Sequence, residues 1–270
     1  NLIPPKFTPI SENLLTENFI CDSKVIISCG RKSVIHSAAL KKRFKEKIFT
    51  IHIQDPKVNF ENFDVIVAPE HDNLSGNNIY SSKGAIHYIT QSEIDNAKTY
   101  LKKNINNEKV VSLILGGPNK YYSFDKEQLL NIFNEIKSKF ISDGYKVIVI
   151  PSMRTPKEII EFAIQEMKGC GYVANAVNKQ AYLSSYALAD FVVVTCDSTS
   201  MISEAAVSGK PIFIAHMKPK KNNYRFKRFF KLFREKGITR DLGEPVGSWT
   251  YNKLNEAERI AIAIKKRINI

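Results

Sequence analysis

No two of the four cysteines (Cys21, Cys29, Cys170 and Cys196) stand as a C-x-x-C pair, so neither a zinc site nor a disulfide framework organises this chain. Reduced thiols in a cytoplasm fit that usage. No apolar run approaches the ~20 residues that span a bilayer, and the opening "NLIPPKFTPI" lacks the regions of a signal peptide. There is no G-x-x-x-x-G-K-[ST] phosphate loop and no G-x-S-x-G turn to present a nucleophilic serine. "GCGYVA" (169–174) matches G-x-G-x-x-A in letters but precedes a strand instead of following one, which rejects it as a dinucleotide fingerprint. No D-x-D pair occurs, and E-x-D at 70–72 is thin evidence for a metal, so metal-independent chemistry is expected.

Acidic residues are also few. Against 40 Lys+Arg stand 27 Asp+Glu, a formal +13 that favours anions such as phosphates, nucleic acid or acidic lipid headgroups without choosing among them. No nucleic-acid reading motif or aromatic stacking array is present, so specific nucleic-acid binding is not expected. At 43% hydrophobic and 25% charged residues, the 270-residue chain is globular and long enough for two domains.

From residue 110 onward, short β-branched runs alternate with helical patterns, which predicts a parallel sheet covered on both faces. The strands are "VVSLIL" (110–115), "KVIVI" (146–150), "YVANA" (172–176), "FVVVT" (191–195) and "PIFIA" (211–215). Helices are expected at 125–141, 156–168, 180–188, 200–208 and 222–236. The first hundred residues follow the same grammar more loosely, with strands at 24–29, 48–53 and 63–69 and helices at 31–44 and 92–103. The polar run "KKNINNEK" (102–109) marks the boundary between a domain at 1–105 and one at 106–252. A terminal helix in 253–270, opened by Asn255 and Glu258 in capping-box spacing, is expected to pack back on the first domain.

In open α/β sheets ligands bind beyond the carboxyl ends of the strands, where helix N-termini offer free N–H groups. Those ends read "GGPNK" (116–120), "PSMRT" (151–155), "NAVNK" (175–179), "CDSTS" (196–200) and "HMKPKK" (216–221), all rich in glycine, hydroxyls, amides or cations. Gly116 and Gly117 can let a backbone approach a ligand, and Arg154 can fork a phosphate. Each piece also has a plainer reading: a turn for the glycines, a solvated neighbour for Arg154, and an ordinary helix cap for Ser198, Thr199 and Ser200 beside Asp197. The joint pattern points to an anionic ligand. Glu204, one turn into the helix, suits either the helix dipole or the hydroxyls of a ribose.

The first domain has a comparable edge in "CGRKS" (29–33), "QDPK" (54–57) and "PEHDN" (69–73). Arg31, Lys32 and Ser33 are candidates for the acceptor side or a phosphate. Glu70, His71 and Asp72 are candidates for a general base, His71 because it titrates near neutral pH. The segment "NYRFKRFFKLFREKG" (223–237) puts Phe226, Phe229, Phe230 and Phe233 on one face and cations elsewhere. It reads either as a helix covering the sheet or as a patch for an anionic membrane surface, and both hold if its outer side meets lipid.

"CGRKS", "QDPKVNFENFDVIVAPEHD", "LGGPNK", "PSMRTP" and "TCDSTSMISEAAVSGKP" together resemble the mitochondrial-fission "elongated mitochondria" family, related to B-type glycosyltransferases, over most of the chain. The resemblance implies an α/β fold of two Rossmann-like domains around a cleft, the second holding a nucleotide-sugar as substrate, with no separate cofactor. It places Ser198 to Ser200 near the phosphates, Glu204 near the ribose, and Gly116 and Gly117 in the loop facing the cleft. Arg154, Thr155 and Asp197, from the strand-end loops, complete the expected donor-binding set. Family members carry a Gly- and His-containing loop after their first strand; nothing here matches it, so the N-terminal domain is expected to be incomplete. The implied activity is sugar transfer from a nucleotide donor to an acceptor, by a cytoplasmic protein peripheral on the inner membrane face. The alternative is a non-catalytic scaffold that recruits a partner protein.

Overall fold

The computed structural model describes residues 5, 8–11, 14–15, 21–105 and 108–268. Pro4 of the opening stretch, and residues 106 and 107 of the polar run, lie outside the described residues. The chain divides into two compact units, Asn1–Ile86 with Glu256–Ile270, and His87–Asn255.

The first unit holds a parallel sheet of β1 (Val25–Cys29), β2 (Phe49–Ile53), β3 (Val65–Pro69) and β4 (Ile79–Ser82), in that order. Because side chains alternate across a strand, β3 is covered on both faces. Ile66 and Ala68 pack with Val34, Ile35 and Ala38 of α1 (Val34–Phe44), while Val65 and Val67 pack with Ile260 and Ile264 of the C-terminal helix α8 (Glu256–Lys265). Glu256, almost wholly buried, fixes the start of α8: its Oε2 accepts from Lys83 N at 2.7 Å and from Arg259 Nη2 at 2.6 Å. Arg259 Nη2 also donates to Ser81 O at 2.7 Å, so one ion pair clamps the helix to the end of β4.

The second unit is a six-stranded parallel sheet of β5 (Val110–Leu115), β6 (Lys146–Pro151), β7 (Gly171–Val173), β8 (Phe191–Thr195), β9 (Ile212–Ala215) and β10 (Thr239–Asp241). Its spatial order is β10-β9-β8-β5-β6-β7. The chain runs outward from β5 through β6 to β7, then returns to β8 on the other side of β5, which is the dinucleotide-fold order with its reversal between β5 and β8. The helices are α2 (Gln91–Ala97), α3 (Lys126–Ile136), α4 (Lys157–Glu166), α5 (Lys179–Leu188), α6 (Thr199–Ala205) and α7 (Tyr224–Glu235). In α7, Phe226, Phe229 and Phe233 are buried, each contributing about 2–3 kcal/mol relative to exposure, and the cations face out. The sheet-covering reading of that segment therefore holds for its apolar face.

Several boundaries differ from expectation. The division falls at Ile86/His87 instead of near 105, because α2 opens with a true capping box between Thr90 and Glu93 and, with the turns after it, buries Ile94, Ala97 and Leu101 in the second unit's core. The expected helix at 92–103 stops at Ala97 and continues as turns and a short 3-10 helix at Lys102–Asn104. The expected strand at 172–176 pairs only over Gly171–Val173, at the sheet's edge. The long third helix closes its last turn as a π-helix, Lys137–Ile141, which keeps Phe140 fully buried. β4 and β10 were not expected, being short and without β-branched runs.

Candidate functional site

The reversal between β5 and β8 brings the loops at 116–120 and 196–200 side by side, with the turn at 151–155 and the loop at 216–221 on the adjacent strands. At the centre lies Asp197, whose side chain is wholly shielded. Its Oδ2 accepts from Gly117 N at 3.0 Å and from Arg154 Nη2 at 2.6 Å, and its Oδ1 accepts from Thr195 Oγ1 at 2.7 Å. Thr195 Oγ1 in turn accepts from Gly116 N at 2.8 Å. Arg154 Nη1 donates to Gly117 O at 2.7 Å, and Asn119 Nδ2 donates to Asp197 O at 2.9 Å. The ends of β5, β6 and β8 are thereby tied to one carboxylate.

That network explains the glycines. A Cβ on Gly116 would sit 2.1 Å from Asp197 Oδ2, and one on Gly117 would sit 2.0 Å from the carbonyl oxygen of Arg154. Both are needed for the loop to lie against its neighbours. Thr155 is likewise engaged: its Oγ1 accepts from Ser152 N at 2.8 Å and lies 3.0 Å from Leu115 O.

The hydroxyl run divides in function. Ser198 is the N-cap of α6, accepting from Met201 N at 3.4 Å. Thr199 and Ser200 have no hydrogen-bond partner for their hydroxyls among the described residues, and Ser200 is exposed. Glu204 accepts from Tyr182 Oη at 2.5 Å. Burial holds the Glu204 carboxyl above its ordinary value, with the Tyr182 hydrogen bond pulling it partly back, and burial pushes Tyr182 well above its own. A half-buried acid held by one phenol has acceptor capacity left for a hydroxylated ligand.

Arg31 and Lys32 are exposed after β1 in the first unit, and Ser33 Oγ donates to Cys29 O at 2.8 Å. Glu70–Asp72 forms a single 3-10 turn after β3, ended by Asn73 in the left-handed conformation at φ +56°. His71 is buried there, with Nε2 3.7 Å from Asp72 Oδ1, and Glu70 is the exposed member. The structure thus gathers the second-unit candidates on one sheet edge and places the six first-unit candidates in a separate unit. Sequence reasoning missed Thr195, Asn119 and Tyr182. The first two sat at the end of the fourth strand and in the "GGPNK" loop; Tyr182, in α5, carried no signal linking it to Glu204.

A model of the mitochondrial fission ELM1 family matches residues 5–268. The chain belongs to that family. An uncharacterized protein of Rickettsia prowazekii (strain Madrid E) is 28% identical, covering 91% of this chain and 80% of its own length. The mitochondrial fission protein ELM1 of Arabidopsis thaliana is 22% identical, and the match covers 90% of this chain but only 64% of the plant protein.

Among solved structures, a candidate UDP-N-acetylglucosamine 2-epimerase of Listeria monocytogenes superimposes with a TM-score of 0.54 at 13% identity, covering 92% of this chain and 76% of its own. The UDP-GlcNAc 2-epimerase of Methanocaldococcus jannaschii, solved with UDP-GlcNAc and UDP, gives 0.50 at 14% identity, covering 94% and 78%. These likenesses show the fold: two Rossmann-like units of the B-type glycosyltransferase architecture.

Proposed function

We propose that this ELM1-family chain is a sugar transferase that binds a nucleotide-sugar on the carboxyl edge of its second unit and transfers the sugar, without a metal ion, to an acceptor at a membrane surface. The observation that carries the reading is the pair of unpartnered hydroxyls, Thr199 and Ser200, beside the strand-order reversal, with Glu204 half-buried one turn further on. A structural relative was solved with UDP-GlcNAc and UDP, which supports a nucleotide diphosphate as the ligand class. Glu204 takes the ribose hydroxyls. Arg154 has five N–H donors, of which two are committed to Gly117 and Asp197, and the remainder meet developing charge on the leaving diphosphate. His71, Glu70 and Asp72, on one 3-10 turn of the first unit, are the proposed candidates for a general base.

A second reading, a non-catalytic scaffold that recruits a partner protein, is favoured by the Arg154–Asp197 pair itself, because the protein's own carboxylate already engages the cation best placed for a phosphate. Calorimetry with UDP, GDP and CMP separates the two. Under the transferase reading one nucleotide binds, and a Thr199→Ala/Ser200→Ala double variant weakens it about tenfold. Ser198 is left intact because it caps the helix. Unchanged affinity in the variant removes the phosphate assignment, and binding of none of the three leaves the scaffold.

A further inference from the structure

The second unit carries a strip of cations that the sheet-edge chemistry does not use. The loop after β9 exposes Lys218, Lys220 and Lys221, and it is joined to the loop after β5 by the Tyr122–Pro219 bridge and by Lys220 N donating to Tyr121 O at 2.7 Å. The ammonium groups of Lys120 and Lys221 stand 4.7 and 5.6 Å from the Tyr121 ring centroid, so both loops present charge at one place. Helix α7 follows directly, with Arg225, Lys227, Arg228 and Lys231 exposed. From His216 to Lys236 nine residues are Lys or Arg and one, Glu235, is acidic. Asp241 and Glu244 are occupied by Arg234.

We infer that this strip, the 218–221 loop and the outer face of α7, docks the second unit on an anionic lipid bilayer. Three observations choose a bilayer over other polyanions. The cations lie along a helix of 12 residues, about 18 Å, which suits a flat surface. Tyr224, 65% exposed at the helix start, is an amphipathic ring of the kind that settles among headgroups. Single-stranded nucleic acid is read by stacking on successive rings, and here the buried Phe226, Phe229 and Phe233 and the half-covered Phe230 offer no such platform. Because the phenylalanines are committed to the core, binding is Coulombic adsorption without insertion, and it falls as salt rises.

The inference rests on the charge of this face and is independent of any nucleotide. It deepens the membrane-surface part of the proposed function by naming the residues that make contact. The test is co-sedimentation of the whole chain with vesicles of phosphatidylcholine alone and of phosphatidylcholine with about one third phosphatidylglycerol, at low and raised salt. The expected result is binding to the anionic vesicles only, lost at raised salt. Arg225→Glu/Arg228→Glu/Lys231→Glu lowers partitioning by about tenfold or more, while Lys47→Glu/Lys103→Glu/Lys168→Glu, an equal charge change at exposed sites elsewhere, lowers it far less. Circular dichroism confirms that both variants fold. The inference is overturned if the chain does not distinguish the vesicles, if the two triple variants lose binding equally, or if duplex or single-stranded DNA competes the chain off the vesicles at equal charge concentration.

Discussion

Arg154 and Gly117 both donate to the same oxygen of Asp197, at 2.6 and 3.0 Å, and Arg154 then returns to the carbonyl of Gly117 at 2.7 Å. The strand ends of β5, β6 and β8 are closed by this small ring of bonds, which the loops would otherwise leave as free N–H and C=O groups. The sheet edge is therefore pre-organised by an ion pair whose carboxylate is buried and whose guanidinium is part-exposed. Under the proposed function, the hydroxyls of Thr199 and Ser200, Glu204 and the outer donors of Arg154 are the groups a ligand meets.

Breaking that pair is expected to destabilise the second unit. Asp197→Ala removes three accepted hydrogen bonds and should cost about 3 kcal/mol, whereas Arg154→Ala, with Arg154 part-exposed, should cost about 2 kcal/mol. The double variant should cost less than the sum of the two, because each single change strands the other partner. Urea denaturation of the four proteins checks this; strict additivity would mean that the two side chains stabilise the edge separately.

The glycines give a second comparison. Gly117→Ala drives a Cβ to 2.0 Å from a backbone oxygen that cannot move away cheaply, and about 3 kcal/mol of destabilisation is expected. Gly144→Ala meets nothing within 4 Å but must hold φ at +82°, and should cost only about 1 kcal/mol. Thermal melts of both variants distinguish a steric requirement at 117 from general loop sensitivity.

Acid should weaken the first unit through His52. This ring is fully buried in β2, its Nδ1 2.8 Å from Ser28 Oγ, and burial lowers its pKa from 6.5 to about 4. The unfolded chain therefore binds the proton more tightly, so the contribution is complete above pH 6.5 and is lost as pH falls from there toward 4. Its full size is roughly 3 kcal/mol. His87 in the second unit is lowered by burial in the same direction, so the His52 variant keeps part of the slope. His52→Asn should flatten the stability-versus-pH curve between pH 4 and 6.5; an unchanged curve would show that the ring is solvated.

The parallel sheets were legible because both-face burial leaves near-continuous β-branched runs, as in Val110–Leu115 and Phe191–Thr195. The edge strands β4 and β10 were not, since half-solvated pairing asks little of the side chains in "IYSS" and "TRD". Loop chemistry at 116–120, 151–155 and 196–200 was readable as a polar edge, but its internal wiring was not. Whether Asp197 faces a ligand or Arg154 depends on contacts 43 residues apart, which no local pattern encodes. The boundary was misplaced for a related reason: the 102–109 run is polar, as a linker is, yet the helix before it packs forward, through Ile94 and Leu101.

Glu204 links stability to binding. Burial raises its folded pKa above the unfolded one, so the folded state prefers the neutral acid, and the cost of ionisation grows as pH climbs through the unfolded value toward the folded one and stays constant beyond it. Glu204→Gln keeps an acceptor for Tyr182 and removes the buried charge, so at neutral pH the variant should melt at the same temperature as wild type or higher. If the carboxylate holds a ribose, the same change should weaken nucleotide affinity about tenfold, because charged acceptors bind hydroxyls more strongly than neutral ones. Calorimetry beside the thermal melt separates the outcomes. Loss of affinity with stability kept marks a ligand group, whereas a lowered melting temperature with affinity unchanged would make Glu204 a structural partner of Tyr182 and remove it from the donor site.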